Sequence, residues 1–117
     1  MIEELVSHVF ALRNAVHLAH WSTKSYAEHK ALGGFYEDLI ESIDDIIEAY
    51  QGWYGLIGEV PIKVLPKKDI AGVIRNELTW LASNREKIAK KNTMIENLID
   101  GLMQTYSTTH YKLVNLS

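Results

Sequence analysis

At 117 residues, with 47% hydrophobic and 23% charged side chains, the chain has the composition of one globular domain rather than of a disordered segment. Its net charge of -3, with Lys67-Lys68 and Lys90-Lys91 as the only basic doublets, gives phosphate-driven nucleic-acid binding little to work with. Cysteine is absent, which excludes disulfides and thiolate metal sites, so any metal has to be held by His, Asp or Glu.

No apolar run approaches membrane-spanning length. The opening Met1-Ile2-Glu3-Glu4 has neither the basic nor the apolar region of a secretory signal, and the expectation is a cytoplasmic protein. A 3.6-residue hydrophobic period predicts four helices in one domain over residues 1–117. The first runs from about Ile2 to about Thr23, with Ile2, Leu5, Val9, Leu12, Val16 and His20 on one stripe.

The second opens at Ser25-Tyr26-Ala27-Glu28, where Ser followed three residues later by Glu reads as a capping box. It continues to about Tyr54 or Ile57. Gly33-Gly34 lies inside it, and each Gly costs roughly 1 kcal/mol relative to Ala. A bend, a register fault or a late start at Phe35 are the options there. Beyond Gly34 the apolar face is broad, from Leu39 through Ile43, Ile46, Ile47 and Tyr50 to Trp53, Tyr54 and Ile57.

Gly58 through Lys68 contains Pro61 and Pro66 and cannot be helical throughout. It reads as a long crossover, which a bundle needs when its middle helices run parallel. The third helix follows Asp69, a suitable N-cap, and runs to about Lys91 on Ile70, Ile74, Leu78, Leu81 and Ile88. The fourth opens with a second capping box, Thr93-Met94-Ile95-Glu96, and carries Leu98, Leu102, Tyr106, Thr109, Leu113 and Leu116 on its stripe. The predicted fold is all-α, an antiparallel four-helix bundle with one long crossover between helices 2 and 3.

Few residues carry chemistry. His20 lies on the apolar stripe of helix 1 and needs a partner for each ring nitrogen. A metal with an acceptor behind the ring is one solution, and a hydrogen bond to a neighbouring helix is the other. His17 stands one turn earlier. Glu37, Glu41, Asp44 and Glu48 share a narrow arc of helix 2, and Asp44 and Glu48, four apart, meet on one face. That arc lies opposite the apolar face, so in a single chain it is solvated. Burial against a second subunit would call for a metal or another cation. His29 begins helix 2 and is open to either a surface or a site role. His8 and His110 read as structural. Trp21, Trp53 and Trp80 read as core or interface. Neither His-Glu-x-x-His nor Glu-x-x-His occurs, which excludes a zincin and the within-subunit di-iron signature.

The stretch Leu18-Ala19-His20-Trp21-Ser22-Thr23-Lys24-Ser25-Tyr26-Ala27-Glu28-His29-Lys30-Ala31-Leu32 resembles the junction of the first two helices in Dps-like proteins of the ferritin-like superfamily. It is particularly similar to short Dps-related proteins of phage and marine bacteria. Phe35-Tyr36-Glu37 through Asp44, Glu48 and Gln51-Gly52 continues the likeness, which spans about Val9 to Gly55. The resemblance implies an iron-oxidation site between two subunits. His20 and His29 would come from one, and Asp44 and Glu48 from the other. His17, Trp21 and Glu41 would stand around those ligands. It also implies a homodimer or a larger homo-oligomer. The chain departs from the Dps pattern in a shorter gap between the two histidines, in Gly33 where an acidic ligand is usual, and in lacking a basic N-terminal arm.

Two functions follow as expectations. One is a metal-binding protein that holds iron, or manganese or zinc, and oxidises Fe(II). The other is a non-enzymatic helical interaction module that keeps the fold without a working site. Nucleic-acid protection by analogy with Dps is disfavoured by the net charge and the missing arm.

Overall fold

The computed structural model describes residues 1–116 and contains four helices: α1 (Ile2–Ser22), α2 (Tyr26–Tyr54), α3 (Ile70–Ala89) and α4 (Thr93–Asn115). The apolar stripes meet in one core. Val9, Leu12, Val16, Leu39, Ile74 and Leu102 are each fully shielded from solvent or nearly so. Burying a side chain of this size contributes about 1.5–3 kcal/mol. Phe35 of α2 meets Tyr106 of α4 edge to face, with centroids 5.5 Å apart.

Packing order follows from the contacts. α1 packs against α2 and α3, and α4 packs against the same two, so α2 and α3 stand mainly on a diagonal. The segment from Gly55 to Asp69 explains how that is possible, because it lies along α1 from end to end. The Gly58 N–H donates to Glu3 at 2.8 Å. Ser7 Oγ donates to the Pro61 carbonyl at 2.7 Å, and Lys67 Nζ donates to Ser22 Oγ at 2.9 Å. The chain thus returns to the end where α2 began before α3 starts. α2 and α3 run parallel, and every adjacent pair is antiparallel. This is the predicted bundle with its long crossover between helices 2 and 3. Val60 and Leu65 pack inward, while Ile62 and Val64 are almost wholly exposed.

Local structure corrects several expectations. α2 passes through Gly33-Gly34 without a break. It stops at Tyr54 because Gly55 takes φ 88°, which glycine accepts at little cost. Ser25 caps α2 by accepting the Glu28 N–H, so its half of the box forms. The second box does not form. Asn92, not Thr93, caps α4, its side chain accepting from Met94 and Ile95 N–H. Glu96 is drawn instead to Arg85 of α3, at 3.2 Å. Asp69 occupies the N-cap position of α3 in a left-handed conformation, and its carboxylate makes no cap hydrogen bond. Trp53, Tyr54 and Leu116, placed on apolar stripes by periodicity, are exposed; the first two lie in the last turn of α2, and Leu116 is the C-cap beyond α4.

No helix of the described residues is long and apolar enough to cross a membrane.

Candidate functional site

The corner between α1 and α2 holds the two histidines. Only Thr23, Lys24 and Ser25 separate the helices, so the last turn of α1 lies beside the first turns of α2. His20 and His29 are brought face to face, with centroids 3.8 Å apart and planes 17° from parallel. Each ring binds the other residue's backbone: His20 Nδ1 to the His29 carbonyl at 2.7 Å, and His29 Nδ1 to the His20 carbonyl at 2.9 Å. A carbonyl can only accept, so both Nδ1 atoms carry the proton. Both Nε2 atoms are left without a hydrogen-bond partner among the described residues. No buried side-chain nitrogen lacks a partner among the described residues, so these two reach solvent.

A ring held by a carbonyl on one nitrogen and open on the other is the state in which histidine ligates a metal. An imidazole ligates in its own plane. Two stacked rings therefore present their lone pairs in nearly parallel planes and address two positions rather than chelating one ion.

Gly33 belongs to this arrangement. A Cβ at position 33 would stand 2.9 Å from His20 Cε1 and 3.2 Å from Nδ1. The imidazole lies against the α2 backbone in the space where any other residue would begin its side chain. The resemblance to Dps proteins puts Gly33 where an acidic ligand is usual, and the structure gives the glycine a steric reason.

Around the pair lies an aromatic cluster. His17 stacks on Tyr36 at 4.1 Å and touches Trp21 at 4.3 Å. Tyr36 in turn meets His20 edge-on at 5.5 Å, and the Arg13 guanidinium sits over its ring. Partial burial pushes the His17 pKa down, and the charges of Arg13 and His20 add to that. Tyr36, which the sequence reading left unassigned, is the centre of this cluster. Trp21 is 68% exposed, so it is not core.

The acidic residues are elsewhere. Asp44 and Glu48 are exposed on α2, as are Glu37 and Glu41, and none of them forms an ion pair among the described residues. Asp44 lies fifteen residues beyond His29, about 22 Å along the helix. One chain therefore cannot bring the histidines and these carboxylates together. Consistently, no group of three potential metal ligands occurs within the described residues. His20 and His29 offer nitrogen donors at one place on the chain, and Asp44 and Glu48 offer oxygen donors at another. Their chemistry suits iron, manganese or zinc.

Two polar clusters escaped the sequence reading. His8 Nδ1 donates to Glu77 Oε1 at 2.8 Å, and the His8 ring stacks on Trp80 at 3.6 Å. This ties α1 to α3 around a carboxylate that is only 7% exposed. The negative charge adds to burial in pushing the Tyr106 hydroxyl pKa up. Arg85 of α3 grips Asp100 of α4 with two nitrogens, at 2.5 and 2.8 Å, and reaches Glu96 with a third. These pairs span 69 and 15 positions, and no local spacing announces them.

The fold and site define a four-helix bundle with a histidine pair at one helix corner. Residues 20–113 match the family described as "Family of unknown function (DUF5856)", and the chain belongs to that family. It is also similar, at 38% identity over 53 residues, to the "Uncharacterized 14.6 kDa protein in mobD-ri intergenic region" of Enterobacteria phage T4. That alignment covers 45% of this chain and 41% of the phage protein. No solved structure matches.

Proposed function

We propose that the protein binds metal, with Fe(II) as the first candidate and Mn(II) or Zn(II) as chemical alternatives, at a site shared by two copies of the chain. His20 and His29 of one copy each supply nitrogen to one of two neighbouring positions, and Asp44 and Glu48 of the other copy supply oxygen. The observation that carries the reading is the pair of reciprocal hydrogen bonds, which fix both rings with Nε2 free. The unpaired carboxylates and the likeness to Dps proteins support it. Bound iron would bring redox chemistry, and oxidation of Fe(II) by oxygen or peroxide is the activity to assay. A cytoplasmic setting suits such a role.

The test is metal content measured together with mass. Purified protein is loaded with Fe(II), Mn(II) or Zn(II), analysed for bound metal and weighed by light scattering, beside a His20→Ala, Glu48→Ala variant. Near-stoichiometric metal in an oligomer, lost in the variant, is the expected result. Metal no higher than in the variant would sink the reading.

A second reading has its own observation. Phe10, Trp21, Ile40 and Trp53 are large apolar residues left 37–68% exposed. Such surface favours a helical interaction module without a metal, in which these residues anchor a partner.

A further inference from the structure

We infer that metal binding and the pairing of two copies are coupled, so that the metal-free chain resists pairing and metal drives it. The inference rests on the shared site proposed above and adds its regulation. His29, Gly33, Ile40 and Asp44 fall within about 60° of one another around α2, so both half-sites look out from the same side of the helix. A second copy whose α2 runs antiparallel sets His29 opposite Asp44 or Glu48 only if the two-fold axis passes near residues 36–39. The same operation repeats the pairing on the other side of the axis.

Two features of that face oppose each other. Phe10, Trp21 and Ile40 offer apolar surface, 48%, 68% and 37% exposed, which favours burial. Against them, no Lys or Arg occurs between Lys30 and Lys63, and Glu37, Asp38, Glu41, Asp44, Asp45 and Glu48 all lie in that interval, all exposed. Glu37 and Glu41 sit close to the axis, so each copy brings the same charge to the same place, offset in part by Arg13, whose guanidinium lies over the Tyr36 ring. Like charges brought together at an interface disfavour the pair. Metal ions held between His20, His29 and the carboxylates would remove part of that opposition. The free energy of metal binding then appears as affinity between copies, and pairing tightens metal binding by the same factor.

The experiment measures mass by sedimentation velocity across a concentration series, in chelator and with Mn(II) or Zn(II), beside bound-metal analysis. Wild type is expected as a 13.3 kDa monomer in chelator and at twice that mass with metal, the dissociation constant falling about tenfold or more. Raising NaCl in chelator should shift wild type toward the dimer by screening the carboxylates. Glu37→Gln with Glu41→Gln leaves all four ligands in place and should dimerise in chelator. Asp44→Asn with Glu48→Gln should lose the response to metal. Wild type that binds metal stoichiometrically at unchanged mass, or is equally dimeric in chelator, overturns the coupling. A Glu37→Gln, Glu41→Gln protein that stays monomeric in chelator overturns the charge argument. Protein that retains no metal in any state sinks the shared site and the coupling with it.

Discussion

The imidazole of His20 occupies the space that a Cβ on residue 33 would need, so the identity of Gly33 is set by a side chain on the preceding helix. Gly33→Ala has two opposed effects. Alanine favours the helix by about 1 kcal/mol. Displacing the ring breaks its hydrogen bond to the His29 carbonyl, which contributes about 0.5–1.5 kcal/mol. The two terms nearly cancel, and the expected net change by urea denaturation is close to zero. In a His20→Ala background the same substitution should stabilise by about 1 kcal/mol. Equal effects in the two backgrounds would refute the steric link.

His8 and Glu77 make a second test. His8 is the hydrogen-bond partner of a carboxylate that is nearly buried. His8→Ala strands that carboxylate and opens a gap beside Trp80, at an expected cost of about 2–4 kcal/mol. Replacing both partners, His8→Phe with Glu77→Leu, removes the polar groups and keeps an aromatic ring on Trp80. That double variant should recover most of the loss, read as the midpoint of denaturant unfolding.

The helix caps discriminate between neighbours. Asn92→Ala should cost about 1 kcal/mol, because its side chain accepts the first free N–H groups of α4. Thr93→Ala should be close to neutral. The reverse order in thermal unfolding would show that the cap lies one residue later.

A pH dependence follows from Arg85 and Asp100. The two-pronged hydrogen bond from Arg85 holds the Asp100 carboxyl below the ordinary carboxylate range. A carboxyl lowered in the folded state contributes stability above its unfolded value, near 4, and loses it as pH falls through the folded value. Wild type should therefore exceed Asp100→Asn in Tm at pH 6, and the gap should close below about pH 4. A gap that persists at acid pH would point to packing instead.

The bundle itself was legible because apolar residues recur at helical spacing from Ile2 to Leu113 and two prolines interrupt them once. Helix ends were less so. Asn92 and Thr93 are both good caps, and composition cannot choose between them. Glu96 looks like half of a capping box until Arg85 is known to stand beside it. Of the candidate ligands, the residue types at positions 20, 29, 44 and 48 were visible. The mutual lock of the two histidines was not, because it depends on the angle at which two helices leave a three-residue corner. The contact of Gly33 with the His20 ring was hidden for the same reason: a missing carboxylate and a filled space look alike in one dimension.

The crossover carries a consequence for how this architecture can vary in length. The fifteen residues from Gly55 to Asp69 must cover α1, about 31 Å for its 21 residues, and are tied down near both ends. Adding one turn to α1 lengthens that path by about 5.4 Å, roughly two extended residues. Bundle height and connector length are therefore a single inherited dimension. Relatives should gain or lose residues in both places together, and a change in only one should be found where the far end of α3 has frayed.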